Sequence, residues 1–163
     1  MEKYFRTEQG KLVDILDYSV EQVSKNPHVK IYIGCDSQVD GPKVKYTVCI
    51  VYRVGLRGAH YIYRDILKER PPRSVPKEIQ IMARLNDEIY ITMEVVQFLL
   101  DNTSIKIEAV EFDFNEEEEH FSNKATNMAT GWAKGLGLST SIKPDELIAC
   151  KAADHLCRRG MRR

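Results

Sequence analysis

The chain has 163 residues, 43% of them hydrophobic and 29% charged, with 24 basic side chains balanced by 24 acidic ones. That length suggests a single domain over residues 1–163, able to bury roughly 70% of the surface its unfolded chain exposes. The zero net charge excludes a molecule-wide basic field, so any nucleic-acid binding must come from a local patch.

The opening, "MEKYFRTEQGKLVDIL", has acids where the apolar core of a secretory leader would be needed. Residues 11–25 place Leu12, Ile15, Leu16, Val20 and Val23 at helical spacing, which predicts an N-terminal helix that stops at Asn26-Pro27. Strands are expected at 29–35, 44–54 and 59–66, with turns at "GPK" (41–43) and "GLRG" (55–58) between them. A polar stretch with three prolines follows, "KERPPRSVPKE" at 68–78. Residues 77–101 carry Ile81, Leu85, Ile89, Met93, Val96 and Leu100 on one helical face. A fourth strand is expected at 104–114, then a helix over 122–137 with Ser122 as its N-cap and glycines at its end. A short fifth strand at 138–144, a last helix at 145–159 and a short basic tail at 158–163 complete the chain.

No apolar run approaches the roughly 18 residues of a membrane span. Cys35, Cys49, Cys150 and Cys157 lack paired metal-ligand spacing, and reduced thiols in a cytoplasmic protein are expected. The element order predicts an α/β fold with a mixed five-stranded sheet flanked by helices. Its first three strands form an antiparallel meander, and the fourth and fifth run parallel. The crossovers put the strands at 29–35 and 104–114 side by side in the centre.

The chemistry lies in the acids. Asp36 ends the first predicted strand, in "KIYIGCDSQV", and Asp113 closes the fourth. In open α/β sheets ligand sites lie at such carboxyl ends. Two carboxylates that close repel, and one takes up a proton unless a cation intervenes. The helix over 77–101 offers Glu88, with Asp87 and Glu94 as rivals. Glu88 and Glu94 are six residues apart, about 240° around a helix, so the two do not share a site. The last helix offers Asp154 beside Ala152 and Ala153; Asp145 is its rival, although the helix dipole accounts for a first-turn acid. Four acids from two strands and two helices make a two-metal phosphodiester site chemically reasonable.

Several motifs accompany these acids. They are Tyr4-Phe5 with Gly10-Lys11; Ile33-Gly34-Cys35-Asp36-Ser37-Gln38; Arg57-Gly58-Ala59 with Tyr61 and Tyr63; and Arg84-Leu85 with Glu88. Later come Asp113-Phe114-Asn115, Gly131-Trp132 with Gly135 and Gly137, and Lys143-Pro144-Asp145 followed by Ala149 and Ala153-Asp154. Over nearly the whole chain they resemble the ribonuclease H-like superfamily and, more closely, the YkuK-like family of predicted ribonuclease H-related proteins. Cys35 stands where that family often has Thr, and Leu56 replaces a glycine. The resemblance implies a ribonuclease H-like fold and Asp36, Glu88, Asp113 and Asp154 as catalytic and metal-binding acids. It also implies two Mg²⁺ or Mn²⁺ ions, and hydrolysis of RNA, DNA or a hybrid that leaves a 3′-hydroxyl and a 5′-phosphate. Ser37, Gln38, Asn115 and Lys143 are the candidate substrate contacts.

Plainer readings stand beside these. Asp36 could cap a turn, Glu88 could pair with Arg84, and Asp154 could pair with Lys151 or Arg158. "EEEEH" at 116–120 reads as a solvated loop, although His120 could carry a proton near Asp113. Cys35 shares parity with Ile31 and Ile33 and reads as a buried strand residue rather than a nucleophile. Lys68, Arg70, Arg73 and Lys77 could hold phosphates by charge. A metal-dependent nuclease is therefore the leading expectation, with a noncatalytic nucleic-acid-binding or scaffold module as the alternative. A nucleotide-binding relative of the fold would need glycines where Ser37-Gln38-Val39 stand. The oligomeric state is not legible.

Overall fold

A computed structural model describes residues 1–55, 58–114, 119–142 and 146–159, and for residues 119–123 the backbone alone. The elements are β1 (Tyr4–Thr7), β2 (Leu12–Asp14), α1 (Ile15–Lys25), β3 (Lys30–Asp40), β4 (Lys43–Arg53), β5 (Ala59–Glu69), α2 (Lys77–Asn102), β6 (Ala109–Phe112), α3 (Glu119–Gly135), β7 (Thr140–Ile142) and α4 (Ala149–Arg159). They build one mixed sheet in the order β2-β1-β5-β4-β3-β6-β7. Among the described residues no helix is long and apolar enough to cross a membrane. Leu56 and Arg57, Asn115, the acidic run at 116–118, the side chains of His120 and Ser122, Lys143-Pro144-Asp145 and the tail from 160 lie outside the described residues.

The sheet has seven strands, not the five expected. The two additional ones form an N-terminal hairpin that pairs Tyr4 with Asp14 and Arg6 with Leu12, and β1 then joins the edge of β5. Strand alternation sends Phe5 and Thr7 inward and leaves Tyr4 and Arg6 outward. The helix expected over 11–25 therefore begins only at Ile15. Asp14 stops the strand and starts the helix, since its carboxylate accepts from the Leu16 N–H at 2.9 Å and the Asp17 N–H at 3.5 Å.

The meander appears as expected, in longer strands. β4 is central and is buried continuously from Tyr46 to Tyr52, because helices cover both faces. Its ladder with β3 runs unbroken from Lys30↔Arg53 to Asp40↔Lys43, and Gly41 makes the turn at φ 58°. Asp36 is thus inside a strand rather than at its end. The hairpin partner β4 keeps β3 paired well past it. On the other side of β3 the parallel partner β6 pairs only with Tyr32, Ile33 and Gly34. Asp36 therefore faces the gap where β6 stops.

The pleat divides β3 between two layers. Ile31, Ile33, Cys35 and Ser37 face α2, with α1 and α3 on the same side. Gly34 and Asp36 face α4 on the other side. α2 presents Leu85, Glu88, Ile89, Thr92, Met93, Val96 and Leu99 to the sheet, at the three- and four-residue spacing of one helical face.

Candidate carboxylate site

α4 lies unusually close to the sheet, and Gly34 permits it. A Cβ at Gly34 would sit 2.8 Å from Cys150 Sγ and 3.1 Å from the Cys150 backbone nitrogen. At that point Glu111 of β6, 1% exposed, turns its carboxylate to the first N–H groups of α4. Oε2 accepts from Ala149 N at 2.7 Å and Cys150 N at 3.1 Å. Those N–H groups have no partner within the helix, and the helix dipole favours an anion there. The thiols fasten the rest of the helix. Cys150 Sγ donates to the Glu111 carbonyl at 3.4 Å, and the single S–H of Cys157 has two acceptors in reach, Thr47 Oγ1 at 3.1 Å and the Asp36 carbonyl at 3.3 Å. All four cysteines are free and buried. Burial raises the pKa of each thiol, that of Cys157 to about 12, so they serve as protonated donors and not as nucleophiles.

Asp154, one turn after Cys150, comes down on Asp36. Burial is the largest of the effects that push the Asp36 carboxyl up to about 7, followed by the negative charge of Asp154. The Ser37 N–H partly offsets this, while the charge of Asp113 and a hydrogen bond shared with Asp154 add to it. A hydrogen bond between two carboxyls requires a proton on one of them. Asp36 Oδ2 is buried and receives no donor from the described residues. On its outer side Asp154 Oδ1 accepts from Arg158 Nε at 2.6 Å, so the ion-pair reading and the site reading of Asp154 both have a physical counterpart.

Glu88 approaches from the opposite layer. It is 6% exposed, and its Oε1 accepts a hydrogen bond from Ser37 Oγ. Its rivals are engaged elsewhere. Asp87 accepts from the Tyr46 hydroxyl at 2.9 Å and from Lys68, and Glu94 lies 3.9 Å from Arg64. The strand pleat separates Asp36 and Ser37, and with them their partners Asp154 and Glu88. The structure therefore brings Asp36, Asp113 and Asp154 to one side and leaves Glu88 across the strand. Among the described residues no group of three His, Cys, Asp or Glu side chains is disposed to hold a metal ion as it stands.

A family model described as Ribonuclease H-like matches residues 12–158. The chain belongs to the ribonuclease H-like family. The match takes in β3, α2, β6 and α4, so all four acids fall within the family's span. It agrees with the YkuK-like motifs. No curated protein matches the chain.

Within this ribonuclease H-like sheet the candidate substrate contacts are differently placed. Ser37 is 3% exposed, with its hydroxyl committed to Glu88. Gln38 is half-buried and stands opposite Lys45 on the α4 side. Asn115 and Lys143 lie outside the described residues. Sequence reasoning missed Glu111. Its signal was parity, since Ala109, Glu111 and Asp113 alternate onto one face, and a carboxylate within "AVEFDF" demands a partner.

Proposed function

We propose that this ribonuclease H-like chain is a divalent-metal-dependent nuclease that hydrolyses phosphodiester bonds of nucleic acid. The observation that carries the reading is the Asp36–Asp154 pair, in which the charge of Asp154 raises the Asp36 pKa beside Asp113, and one buried Asp36 oxygen receives no donor from the described residues. An all-oxygen set of this kind fits a hard cation such as Mg²⁺ or Mn²⁺. Asp36, Asp113 and Asp154 are the residues that would hold it, while Glu88, bonded to Ser37 on the opposite face of β3, stands apart from this set. Bound there, two such ions supply charge neutralisation on the phosphate and a water of lowered pKa. The chain's own part is to hold these carboxylates in place. The Glu111 clasp fixes α4, Arg158 fixes the outer oxygen of Asp154, and Ser37 fixes Glu88. Gln38, Asn115 and Lys143 are proposed to meet the substrate around this centre.

The test is divalent-dependent cleavage of RNA, DNA and hybrid duplexes by wild type and Asp36→Asn. Cleavage that persists undiminished in the variant rules the assignment out. A second reading, a noncatalytic nucleic-acid-binding module, draws support from the absence of any ready three-residue metal group among the described residues. It predicts nucleic-acid binding with neither turnover nor Mn²⁺ affinity at millimolar concentration.

A further inference from the structure

A cleft of about 270 Å³ lies between the β3–β4 turn, the end of β5 and the first turns of α2. Val39, Val44, Pro71 and Ile81 give it an apolar part of its lining. Its lining also carries Arg70 and Lys77. We propose that this cleft binds the phosphomonoester of a nucleotide, either free or at the end of a nucleic-acid strand.

Three observations support this. The first is charge. Lys68 is spent on Asp87, and Glu69 reaches toward Lys43 at 3.8 Å. Arg70 touches only a neutral group, Gln80 Oε1 at 3.4 Å, and Lys77 makes no ion pair among the described residues. The lining thus carries four cations, Lys68, Arg70, Lys77 and Arg84, against two carboxylates, Glu69 and Asp87, and neither Arg70 nor Lys77 is ion-paired among the described residues. A phosphomonoester carries about −1.5 to −2 at neutral pH, whereas an internal phosphodiester carries a single charge. The second is position. The Arg70 backbone N–H is held by the Pro42 carbonyl at 2.8 Å, and the Gln80 side chain is held by the Val75 carbonyl at 2.7 Å. The segment presenting the cations is therefore tied at both ends, which lowers the ordering cost of binding. The third is size. The volume of about 270 Å³ lies just below the roughly 300–1,000 Å³ of small-molecule sites, which suits a small ligand such as a single nucleotide rather than a longer segment. The inference stands apart from the metal reading, because none of its groups is among the proposed ligands.

Calorimetric titration in excess chelator reads the cleft without metal chemistry. Wild type is titrated with AMP, with adenosine, and with a short DNA oligonucleotide bearing either a 5′-phosphate or a 5′-hydroxyl. The expected result is at least tenfold tighter binding of the phosphorylated member of a pair, lost in Arg70→Glu/Lys77→Glu. Preference confined to AMP identifies a free nucleotide as the ligand; preference confined to the oligonucleotide identifies a strand end. Both residues lie outside the core, and Arg70→Gln/Lys77→Gln provides a second variant without charge reversal. Equal affinity for phosphorylated and unphosphorylated ligands, or unchanged affinity in a folded double variant, overturns the proposal.

Discussion

Replacing Asp36 with Asn should stabilise the metal-free protein while abolishing its proposed activity. The carboxyl titrates near 7 in the fold against an ordinary value of 3.8. Folding therefore tightens its hold on a proton, and stability falls as pH rises from about 4 to about 7, then stays at the lower level. A displacement of roughly three pH units corresponds to an upper bound of about 4 kcal/mol. Asn escapes that loss, but its amide must still find partners at a site where one oxygen has none, and about 2 kcal/mol is a reasonable net gain. For a chain of this size that is a rise in Tm of roughly 4–8 °C. Thermal unfolding in chelator at pH 8 and pH 5 measures it. The gain should be present at pH 8 and nearly gone at pH 5. Addition of Mn²⁺ at pH 8 should raise the Tm of wild type and leave the variant unmoved. A variant that melts at or below wild type at pH 8 in chelator refutes the argument that Asp36 is held in electrostatic conflict.

Three further outcomes follow from the packing. Gly34→Ala drives a Cβ into Cys150, whose backbone nitrogen cannot swing away, and should cost about 1–3 kcal/mol in urea unfolding. Ser37→Ala removes the hydroxyl that donates to the buried Glu88 carboxylate and should cost about 1–3 kcal/mol, whereas Ser37→Thr, which keeps the hydroxyl, should recover part of that loss. His60 stacks on Tyr52 at 5.2 Å, and burial lowers its pKa, so the folded state takes up its proton less readily than the unfolded chain. Stability should therefore drop as pH falls through about 6.5, and His60→Phe should flatten that part of the profile in a pH series of melts.

The long elements were legible because their patterns repeat. β3, β4, β5 and α2 each carry enough alternation or helical spacing to be read, and their order implied that β3 and β6 lie side by side. The N-terminal hairpin was not legible. Its strands are three and four residues long, and Leu12 and Val20 fit a helical period although they are 53% and 49% exposed. The identity of the acids could be read more readily than their layer. Asp36 and Ser37 are consecutive, so a strand that continues through both must send them to opposite faces. Ending the strand at Cys35 hid that consequence, and with it the separation of Glu88 from Asp154. Glu111 was overlooked because its partners are backbone groups of a helix far along the chain, which no local pattern reveals.

The clasp between α4 and the sheet also sets an order of assembly. The meander pairs neighbours in sequence and can form early, whereas Cys157 meets Asp36 across 121 residues and Cys150 meets Cys35 across 115. Until α4 docks, the face of β3 and β4 that carries Asp36 and Cys49 has no cover, and Asp36 has no Asp154 beside it. The electrostatic conflict at the site is thus imposed by contacts of the longest sequence separation among the hydrogen bonds of the described residues. Folding of the sheet and creation of the site become separable events, and a probe on Asp36 should lag behind one on Tyr52.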